Sequence, residues 1–319
     1  MFRYLSAALA MLAAASALAQ STYPSRPISM VVGFAPSGGT DITARIIAKK
    51  LGENMGHQVN VENRPGAGGN IAADVVSKAN PDGHTIMLAA LGSLVVAPHQ
   101  IANLPYDPLR DLAPITMAVV SANVLVVHPS VPATTLAEYA KLSNAKPGTM
   151  AYGTSGIGGA GHLAGELFKI VAKADLTHVP YKGGGPAMAD LLGGQIPSLF
   201  ASAPSAVPHV KAGKIRALAT TGAVRSSSFP EVPTIAESYP GYEATNWYAY
   251  VAPSKVPKDI IERLNREIVK VLNTPEVRDQ LLTHGMEPQP GTSEALGKYI
   301  EREYKVWGRV VKEAGIRAE

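Results

Sequence analysis

The fold of this chain is decided by residues 28–41, which read ISMVVGFAPSGGTD. The first half, residues 28–34, is an apolar run typical of a buried strand. Small and polar residues follow, and apolar residues at helical spacing then predict a helix over residues 41–52. A strand that passes through a glycine-rich loop into a helix is the repeating unit of a parallel α/β sheet.

The same unit recurs along the chain. Next to it, strands over residues 58–62 and 85–90 flank a helix over residues 71–79, for which Asn70 is the predicted N-cap. In the middle of the chain, a strand over residues 150–153 leads through TSGIGGAG at 154–161 into a helix over 162–173. Further strands are predicted at 115–120, 124–127, 177–180, 198–201, 215–220 and 246–251, and further helices at 134–142, 187–192, 205–212, 258–272, 275–284 and 294–314. The pattern predicts two α/β halves.

Composition excludes several classes of protein. A hydrophobic fraction of 46% and a net charge of +4 do not fit a disordered chain. The absence of cysteine excludes a disulfide scaffold, a thiolate metal site and a cysteine nucleophile. The many turn residues, 30 Gly and 25 Pro, indicate numerous tight turns between the predicted elements.

Residues 1–20, MFRYLSAALAMLAAASALAQ, have the pattern of a secretory signal peptide. Arg3 precedes an uncharged run of 14 residues, and Ala17-Leu18-Ala19 forms an A-x-A cleavage site. That run is shorter than the roughly 20 residues of a membrane-spanning helix, which is the alternative interpretation. We expect a signal peptide over residues 1–19 and an exported, soluble product. Without a cysteine it cannot carry a lipoprotein anchor, and its small charge argues against nucleic acid.

Each of the two glycine-rich loops stands directly before a helix. Helix N-termini carry free N–H donors and a partial positive charge, and glycine lets an anion approach the backbone closely. The two loops therefore favour a bound carboxylate or phosphate. The alternative is that both are ordinary βα turns without a ligand.

Enzyme motifs are incomplete. Gly156-x-Gly158-x-x-Gly161 matches the dinucleotide fingerprint by letter, but Asp175 precedes the next strand instead of ending it. Ser155 lacks the second glycine of a hydrolase elbow, because Ile157 stands there. The eight histidines form no H-x-x-x-H pair, so no local metal site is expected, and because the dinucleotide motif is incomplete no cofactor is expected either. His162, at a helix start, is expected to cap or pack rather than to act as a base. Asp41 is expected to complement the helix dipole, or else to orient the preceding loop or a ligand water.

Several longer strings carry a family resemblance. The most specific are VENRPGAGGN at 61–70 and VPYKGGGPA at 179–187, together with 23–28, 33–41, 81–83, 152–163, 190–195 and 211–219, in matching order and spacing. Through them the chain resembles the substrate-binding proteins of tripartite tricarboxylate transporters, also called Bug receptors.

The resemblance implies a two-domain α/β periplasmic binding protein of type II, a "Venus flytrap" with a two-strand hinge near residues 115–127 and 245–251. Domain 1 would comprise residues 20–121 and 247–319, and domain 2 residues 122–246. The expected product is a monomeric, non-enzymatic receptor in the Gram-negative periplasm. It would capture a di- or tricarboxylate or an aromatic carboxylate and deliver it to the membrane components of such a transporter.

The resemblance also assigns candidate ligand contacts to the two loops and to the hinge wall. They are Phe34, Ala35, Ser37, Gly38, Gly39, Thr40, Asp41, Ser93, Thr154, Ser155, Gly156, Gly158, Gly159, Ala201, Ser202 and Trp247. For Trp247 the alternative is packing within the hinge, because large aromatic side chains commonly fill interdomain cores. Two positions depart from the pattern of many relatives, which have Asp where Ala201 stands and Ser where Gly159 stands. Both departures make the pocket less polar and favour a hydrophobic or aromatic carboxylate.

Two other functions remain open from sequence. A periplasmic sensor that hands its ligand state to a signalling partner would use the same closed form. A serine hydrolase using Ser155 or Ser37 is the third hypothesis, although no base motif accompanies either residue.

Overall fold

The computed structural model describes residues 23–145 and 147–313. The predicted signal peptide, residues 1–19, lies outside this part of the chain, as does the last residue of the helix predicted over 294–314. Within the described ranges, no helix is both long enough and apolar enough to cross a membrane.

The first lobe is built on a sheet of six strands in the order Val59–Asn63, Ile28–Val32, Thr85–Ala90, Thr245–Pro253, Leu112–Val127 and Glu287–Pro288. Its parallel strands are β1 (Ile28–Val32), β2 (Val59–Asn63) and β3 (Thr85–Ala90). They alternate with α1 (Gly39–Met55) and α2 (Asn70–Ser77), and a π-helical turn, Gly92–Val96, leads into α3 (Ala97–Gln100). The predicted βα units are confirmed, while this π-helical turn and α3 were not predicted.

Strand β4 (Leu112–Val127) runs through both lobes. Two separate strands over 115–120 and 124–127 were predicted, and that prediction is wrong. The polar residues between them do not interrupt the pairing, because Ser121 pairs with Asn246 of the first lobe and Asn123 with Ser202 of the second. The sequence shows a polar break where the strand passes from one sheet to the other.

The second lobe contains the end of β4 and β5 (Ala151–Thr154), β6 (Thr177–Pro180), β7 (Ser198–Ser202) and β8 (Arg216–Thr220). Its sheet order is β4-β7-β5-β6, with β8 on the other side of β4. The helices are α4 (Leu136–Ala145), α5 (Ala160–Ala172), α6 (Gly184–Leu192), α7 (Ala203–Lys211) and the unpredicted short α8 (Ile235–Ser238).

Strand β9 (Thr245–Pro253) returns the chain to the first lobe and pairs antiparallel with β3 and β4. The chain then forms α9 (Lys258–Leu272), α10 (Pro275–Thr283), the two-residue β10 (Glu287–Pro288) and α11 (Ser293–Glu313). The connections between the lobes are therefore β4 and the start of β9, which is the arrangement of a two-strand hinge. The domain limits assigned at residues 121/122 and 246/247 stay a prediction.

Each sheet has apolar side chains packed on both faces. Leu163 of α5 belongs to a core cluster of the first lobe, together with Trp247, although α5 follows a strand of the second lobe. Helix α5 thus touches both lobes. One cap prediction is wrong: Asn70 is the first residue of α2, and the N-cap is Gly69 at φ 98°. The Asn70 side chain instead accepts a hydrogen bond from the Tyr106 hydroxyl at 2.9 Å.

Candidate functional site

A narrow cavity lies between the two lobes, where the predicted loops meet. About 30 Å³ is open to the centres of water molecules, which is room for about two waters. Its described lining residues are Phe34, Gly38, Gly39, Thr40, Ala90, Asn123, Ser155, Gly159, Ala160, Gly161, Gly184, Leu199, Phe200, Ala201, Ser202, Asn246 and Tyr248. Both lobes contribute, so the cavity volume depends on how far the lobes are closed.

The N-termini of four helices reach this cavity. Gly39 begins α1, Ala160 begins α5, Gly184 begins α6, and Ser202 is the N-cap of α7. None of the four N-termini is capped by a side chain from the described part of the chain. The first N–H groups of a helix have no partner within the helix, so four sets of donors and four partial positive charges converge here.

No charged side chain is among the described residues of the lining. The polar ones are Thr40, Asn123, Ser155, Ser202, Asn246 and Tyr248, and the rest are glycine or apolar. Asn123 is 2% exposed, and its Nδ2 has no hydrogen-bond partner in the described structure. A buried amide donor without a partner is costly, and an acceptor atom in the cavity would relieve that cost.

Asp41 holds the first loop in place from below the cavity. Its carboxylate accepts hydrogen bonds from the Ser37 N–H at 3.0 Å and from Asn63 Nδ2 at 2.9 Å, and it pairs with Arg45. Burial alone would raise the pKa of Asp41, but the hydrogen bonds from Arg45, Asn63 and Ser37 outweigh it and lower the pKa. Ser37 itself has φ 66°, a left-handed conformation that the Asp41 contact helps to hold.

Two stacked histidines support the second loop. The rings of His162 and His178 lie 4.1 Å apart, His162 Nδ1 accepts from the Gly158 N–H at 3.1 Å, and His178 Nε2 lies 2.7 Å from Thr154 Oγ1. Burial lowers the pKa of both, and the neighbouring His162 helps to bring that of His178 to about 3. His162 must be unprotonated at Nδ1 to accept this hydrogen bond. It holds the Gly158 N–H and packs on His178, but it does not cap α5, whose N-cap is Gly159.

Tyr248 connects the lobes at the floor of the cavity. Its hydroxyl accepts from Asn246 Nδ2 at 3.1 Å and hydrogen-bonds with Thr40 and with Ser202 of the second lobe. Burial raises the pKa of Tyr248 despite these bonds, so the phenol stays neutral.

The rims of the two lobes meet through backbone contacts. The Ala35 N–H donates to the Lys182 carbonyl at 3.0 Å, directly across the cleft. A Cβ built on Gly38 would lie 3.2 Å from the Gly184 nitrogen, and one on Gly92 would lie 2.9 Å from the Gly158 oxygen. The structure is therefore a closed form in which glycines permit the close approach of the rims.

Half of the sequence-predicted contacts lie at this cavity. Phe34, Gly38, Gly39, Thr40, Ser155, Gly159, Ala201 and Ser202 line it. Ala35, Ser37, Asp41, Ser93, Thr154, Gly156, Gly158 and Trp247 do not. Several of these eight support the lining: the Gly156 N–H donates to Thr154 Oγ1, and Ser93 Oγ donates to the Ala90 carbonyl. Trp247 lies on the other side of the hinge. Ligand contact stays a prediction for all sixteen.

The hinge amides and the helix N-terminus at Gly184 were not predicted from sequence, and Ser202 was not identified as the N-cap of a helix. The unpredicted lining residues are Ala90, Asn123, Ala160, Gly161, Gly184, Leu199, Phe200, Asn246 and Tyr248. Gly184 could have been found, because the GGGP turn precedes a helix as the other two loops do. Asn123 and Asn246 stand in two apolar strands, and a polar residue in such a strand is a recognisable signal.

Catalytic and metal chemistry find no support in the described residues. The hydrogen bonds there include none between a histidine and the hydroxyl of Ser155 or Ser37, since His162 and His178 are engaged by Gly158 and Thr154. The same part of the chain contains no group of three His, Asp or Glu side chains able to hold a metal ion.

Comparison with known proteins agrees with this architecture. The family model "Tripartite tricarboxylate transporter family receptor" (TctC) matches residues 43–316. The chain is 37% identical over 305 residues to protein BugT of Bordetella pertussis, which covers 95% of this chain and 94% of BugT.

Two solved structures are similar over nearly the whole chain. "R. palustris Rpa4515 with adipate" superposes with a TM-score of 0.90 at 35% identity, covering 92% of this chain and 99% of that one. MatC from Rhodopseudomonas palustris with bound malate gives a TM-score of 0.86 at 30% identity, covering 91% and 100%. The chain belongs to the tripartite tricarboxylate transporter receptor family, the TctC or Bug periplasmic solute-binding proteins.

Proposed function

We propose that this protein captures a small organic carboxylate between its lobes and delivers it to the membrane components of a tripartite tricarboxylate transporter. The observation that carries the proposal is the cavity with four uncapped helix N-termini and no charged residue among its described lining. Such a site suits an anion held by backbone donors.

The helix N-termini supply enough interaction energy for this role. One N-terminus stabilises an adjacent anion by about 0.3–1 kcal/mol at an exposed site, and by up to about 2 kcal/mol where it is partly buried. Four of them, with the free Nδ2 of Asn123, give an anion a clear advantage over a neutral ligand of the same shape. A lysine or arginine in the lining is not required.

The remaining lining fits an apolar ligand body. Phe34, Ala90, Leu199 and Phe200 provide surfaces for methylene or aryl groups, and Ala201 adds no charge. A second pocket of about 180 Å³ shares Phe34 and Ser155 with the cavity and is lined by residues of both lobes. A carboxylate inside the cavity would leave room there for the rest of the ligand. The adipate and malate named with the two similar structures support this ligand class.

Ligand capture would follow from a shift between open and closed forms. A ligand that contacts both lobes binds the closed form more tightly and so increases its population. The closed surface, including the Ala35–Lys182 contact, would then be recognised by the membrane partner. The same device would serve a sensor that reports to a signalling partner, which is the alternative function.

A thermal-shift screen tests the ligand class, and an uptake assay tests the role. Purified protein is heated with mono-, di- and tricarboxylates, sugars and metal salts, and hits are verified by calorimetry. We expect carboxylates alone to raise the unfolding midpoint; stabilisation by sugars or metals and by no carboxylate would refute the proposal. Deletion of the gene should then abolish uptake of the bound carboxylate. Loss of induction of a regulon with normal uptake would instead identify a sensor.

A further inference from the structure

A second concave site lies behind the hinge, outside the cleft. This hinge groove has a volume of about 480 Å³, which is within the range of small-molecule sites. One wall comes from α5, the other from α11, and the floor from the hinge strands. Its described lining residues are Val120, Leu163, Leu167, Ile170, Glu243, Thr245, Trp247, Gln289, Tyr299, Arg302, Glu303, Val306, Trp307 and Val310.

The groove and the cleft share two structural elements. Along β9, Asn246 and Tyr248 line the cleft while Trp247 between them lines the groove, because alternate side chains of a strand point to opposite faces. Along α5, Ala160 and Gly161 line the cleft and the following turns present Leu163, Leu167 and Ile170 to the groove. Movement of either element therefore changes both sites.

The groove carries an unused hydrogen-bond donor. Trp247 is 1% exposed, and its indole Nε1 has no partner among the described residues. The neighbouring Tyr299 packs edge-on against its ring at 5.4 Å, and Trp307 donates its own Nε1 to Glu303 at 3.3 Å. A buried N–H without an acceptor in an aromatic site would be satisfied by an acceptor atom on a ligand.

The charges around the groove disfavour an anion. Arg302 is the cation of the described lining; it lies over the Tyr299 ring at 4.7 Å and pairs with Glu303 at 3.4 Å. Glu243 adds a further carboxylate at the rim, where it accepts from Thr245. Two apolar side chains at the edge, Ile170 and Val306, are 57% and 46% exposed. The described lining thus combines apolar walls, the buried and unpartnered donor of Trp247, and no excess positive charge.

We propose that the hinge groove is a second ligand site, which binds an uncharged, mainly apolar molecule carrying a carbonyl or ether oxygen as acceptor for Trp247. Its ligand class differs from that of the cleft. Because both lobes form its walls in the closed structure, occupation of the groove stabilises the closed form. An apolar compound bound in the groove therefore raises the affinity of the cleft for its carboxylate. This coupling rests on the proposed function.

The probe is 6-propionyl-2-dimethylaminonaphthalene, an uncharged aromatic ketone whose emission shifts to shorter wavelength in an apolar site. It is titrated into purified protein without any carboxylate. Both tryptophans of the chain, Trp247 and Trp307, line the groove, so bound probe should also quench their fluorescence. We expect saturable binding that I170E weakens at least about tenfold, because a carboxylate replaces an apolar wall. The matched control, V224E at an apolar residue that is 77% exposed, should bind like the wild type.

A second variant tests the donor. W247F keeps an aromatic ring but removes the N–H, and should weaken the ketone about fivefold, the effect of one net hydrogen bond. Its thermal midpoint is measured alongside, and a loss of probe binding that merely follows unfolding would overturn the assignment. So would unsaturable binding, or equal effects of I170E and V224E.

The coupling is tested separately, with the carboxylate that binds best in the thermal screen. Its affinity should rise at least about threefold in saturating probe, in accordance with the linkage between two sites on one closed form. Unchanged affinity would overturn the coupling, while competitive displacement of the probe by the carboxylate would show that the probe occupies the cleft and would overturn the second site. If the protein binds the probe saturably but binds no carboxylate, the groove is still a ligand site. That result would refute only the proposed function.

Discussion

Gly185 provides the sharpest test of lobe closure. It is the second residue of α6, and a Cβ there would overlap the carbonyl oxygen of Pro36 on the other lobe. The next nearest atoms, the Pro36 carbonyl carbon at 3.4 Å and Ser37 Cβ at 3.5 Å, also belong to the first lobe. The substitution G185A therefore meets its nearest obstacles across the cleft and not within its own lobe.

G185A is expected to change the free energies of the open and the closed form in opposite directions. In the open form, alanine replaces glycine in the first turn of a helix, which stabilises the protein by no more than the about 0.5–1 kcal/mol typical of a helix interior. In the closed form, the rims must separate to clear the Pro36 oxygen, which breaks the adjacent Ala35–Lys182 hydrogen bond of 3.0 Å. Loss of that bond and residual overlap together cost about 1–2 kcal/mol, which is about 5- to 30-fold in ligand affinity.

Calorimetry and thermal unfolding measure the two effects on one preparation. G297A is the matched control: it is also a helical Gly-to-Ala change, and its Cβ would meet Pro114 at an ordinary 3.5 Å. We expect both variants to unfold at the wild-type temperature or up to about 2 °C higher without ligand, and only G185A to lose affinity.

Two results would contradict a role of Gly185 in lobe closure. Wild-type affinity in G185A would mean that the liganded protein does not bring α6 against the first loop. A drop in the stability of free G185A that matches its loss of affinity would mean that Gly185 is needed within the free protein, not for closure.

Three further predictions concern the cavity and its supports. N123D should lower carboxylate affinity at least about 30-fold, because it adds a negative charge beside the ligand. N123L should lower the affinity about tenfold without destabilising the free protein. Calorimetry measures the affinities, and thermal unfolding measures the stabilities. D41N should weaken binding about tenfold by releasing the Ser37 N–H from its charged acceptor, whereas a large loss of stability with normal affinity would contradict a role in loop placement. Burial and the neighbouring His162 lower the pKa of His178 to about 3. Between that pH and about 6.5, His178 is therefore protonated in the unfolded chain but neutral in the native protein. The free energy of unfolding should therefore fall as the pH falls from about 6.5 towards 3. In H178Q, the free energy of unfolding measured with urea should depend less steeply on pH, by at most about 1.4 kcal/mol per pH unit.

Much of this architecture is predictable from local patterns. The strand–glycine–helix junctions at residues 33–41 and 152–163 lie at the cleft, because the carboxyl ends of parallel strands and the following helix N-termini share one edge of a sheet. The strand–glycine–helix pattern thus predicts that the N–H donors of these helix N-termini lie at the cleft. It does not show that the GGGP turn and Ser202 bring two more helices to the same cavity, since that depends on how the two lobes pack.

The errors have a common physical origin. Ser121 and Asn123 indicated a break between two strands, but their polarity instead reflects a strand that leaves one sheet at the cleft and enters another. Trp247 stays a predicted ligand contact, but the alternation of side chains along β9 places it in the hinge groove, which agrees with its alternative interpretation as a hinge-packing residue. Tertiary pairing and strand register decide both points, and neither is encoded within a short window of sequence.

In the proposed function, backbone donors of the cavity bind the negative charge of the ligand. Calorimetric titration of the wild-type protein with adipate, or whichever dicarboxylate binds best, and with the corresponding diamide tests this. The two ligands match in shape and differ in charge. We predict that the diamide binds at least about 100-fold more weakly, as expected for several helix N-termini acting on one anion. Equal affinity for the diamide would mean that the helix N-termini do not bind the ligand through its charge.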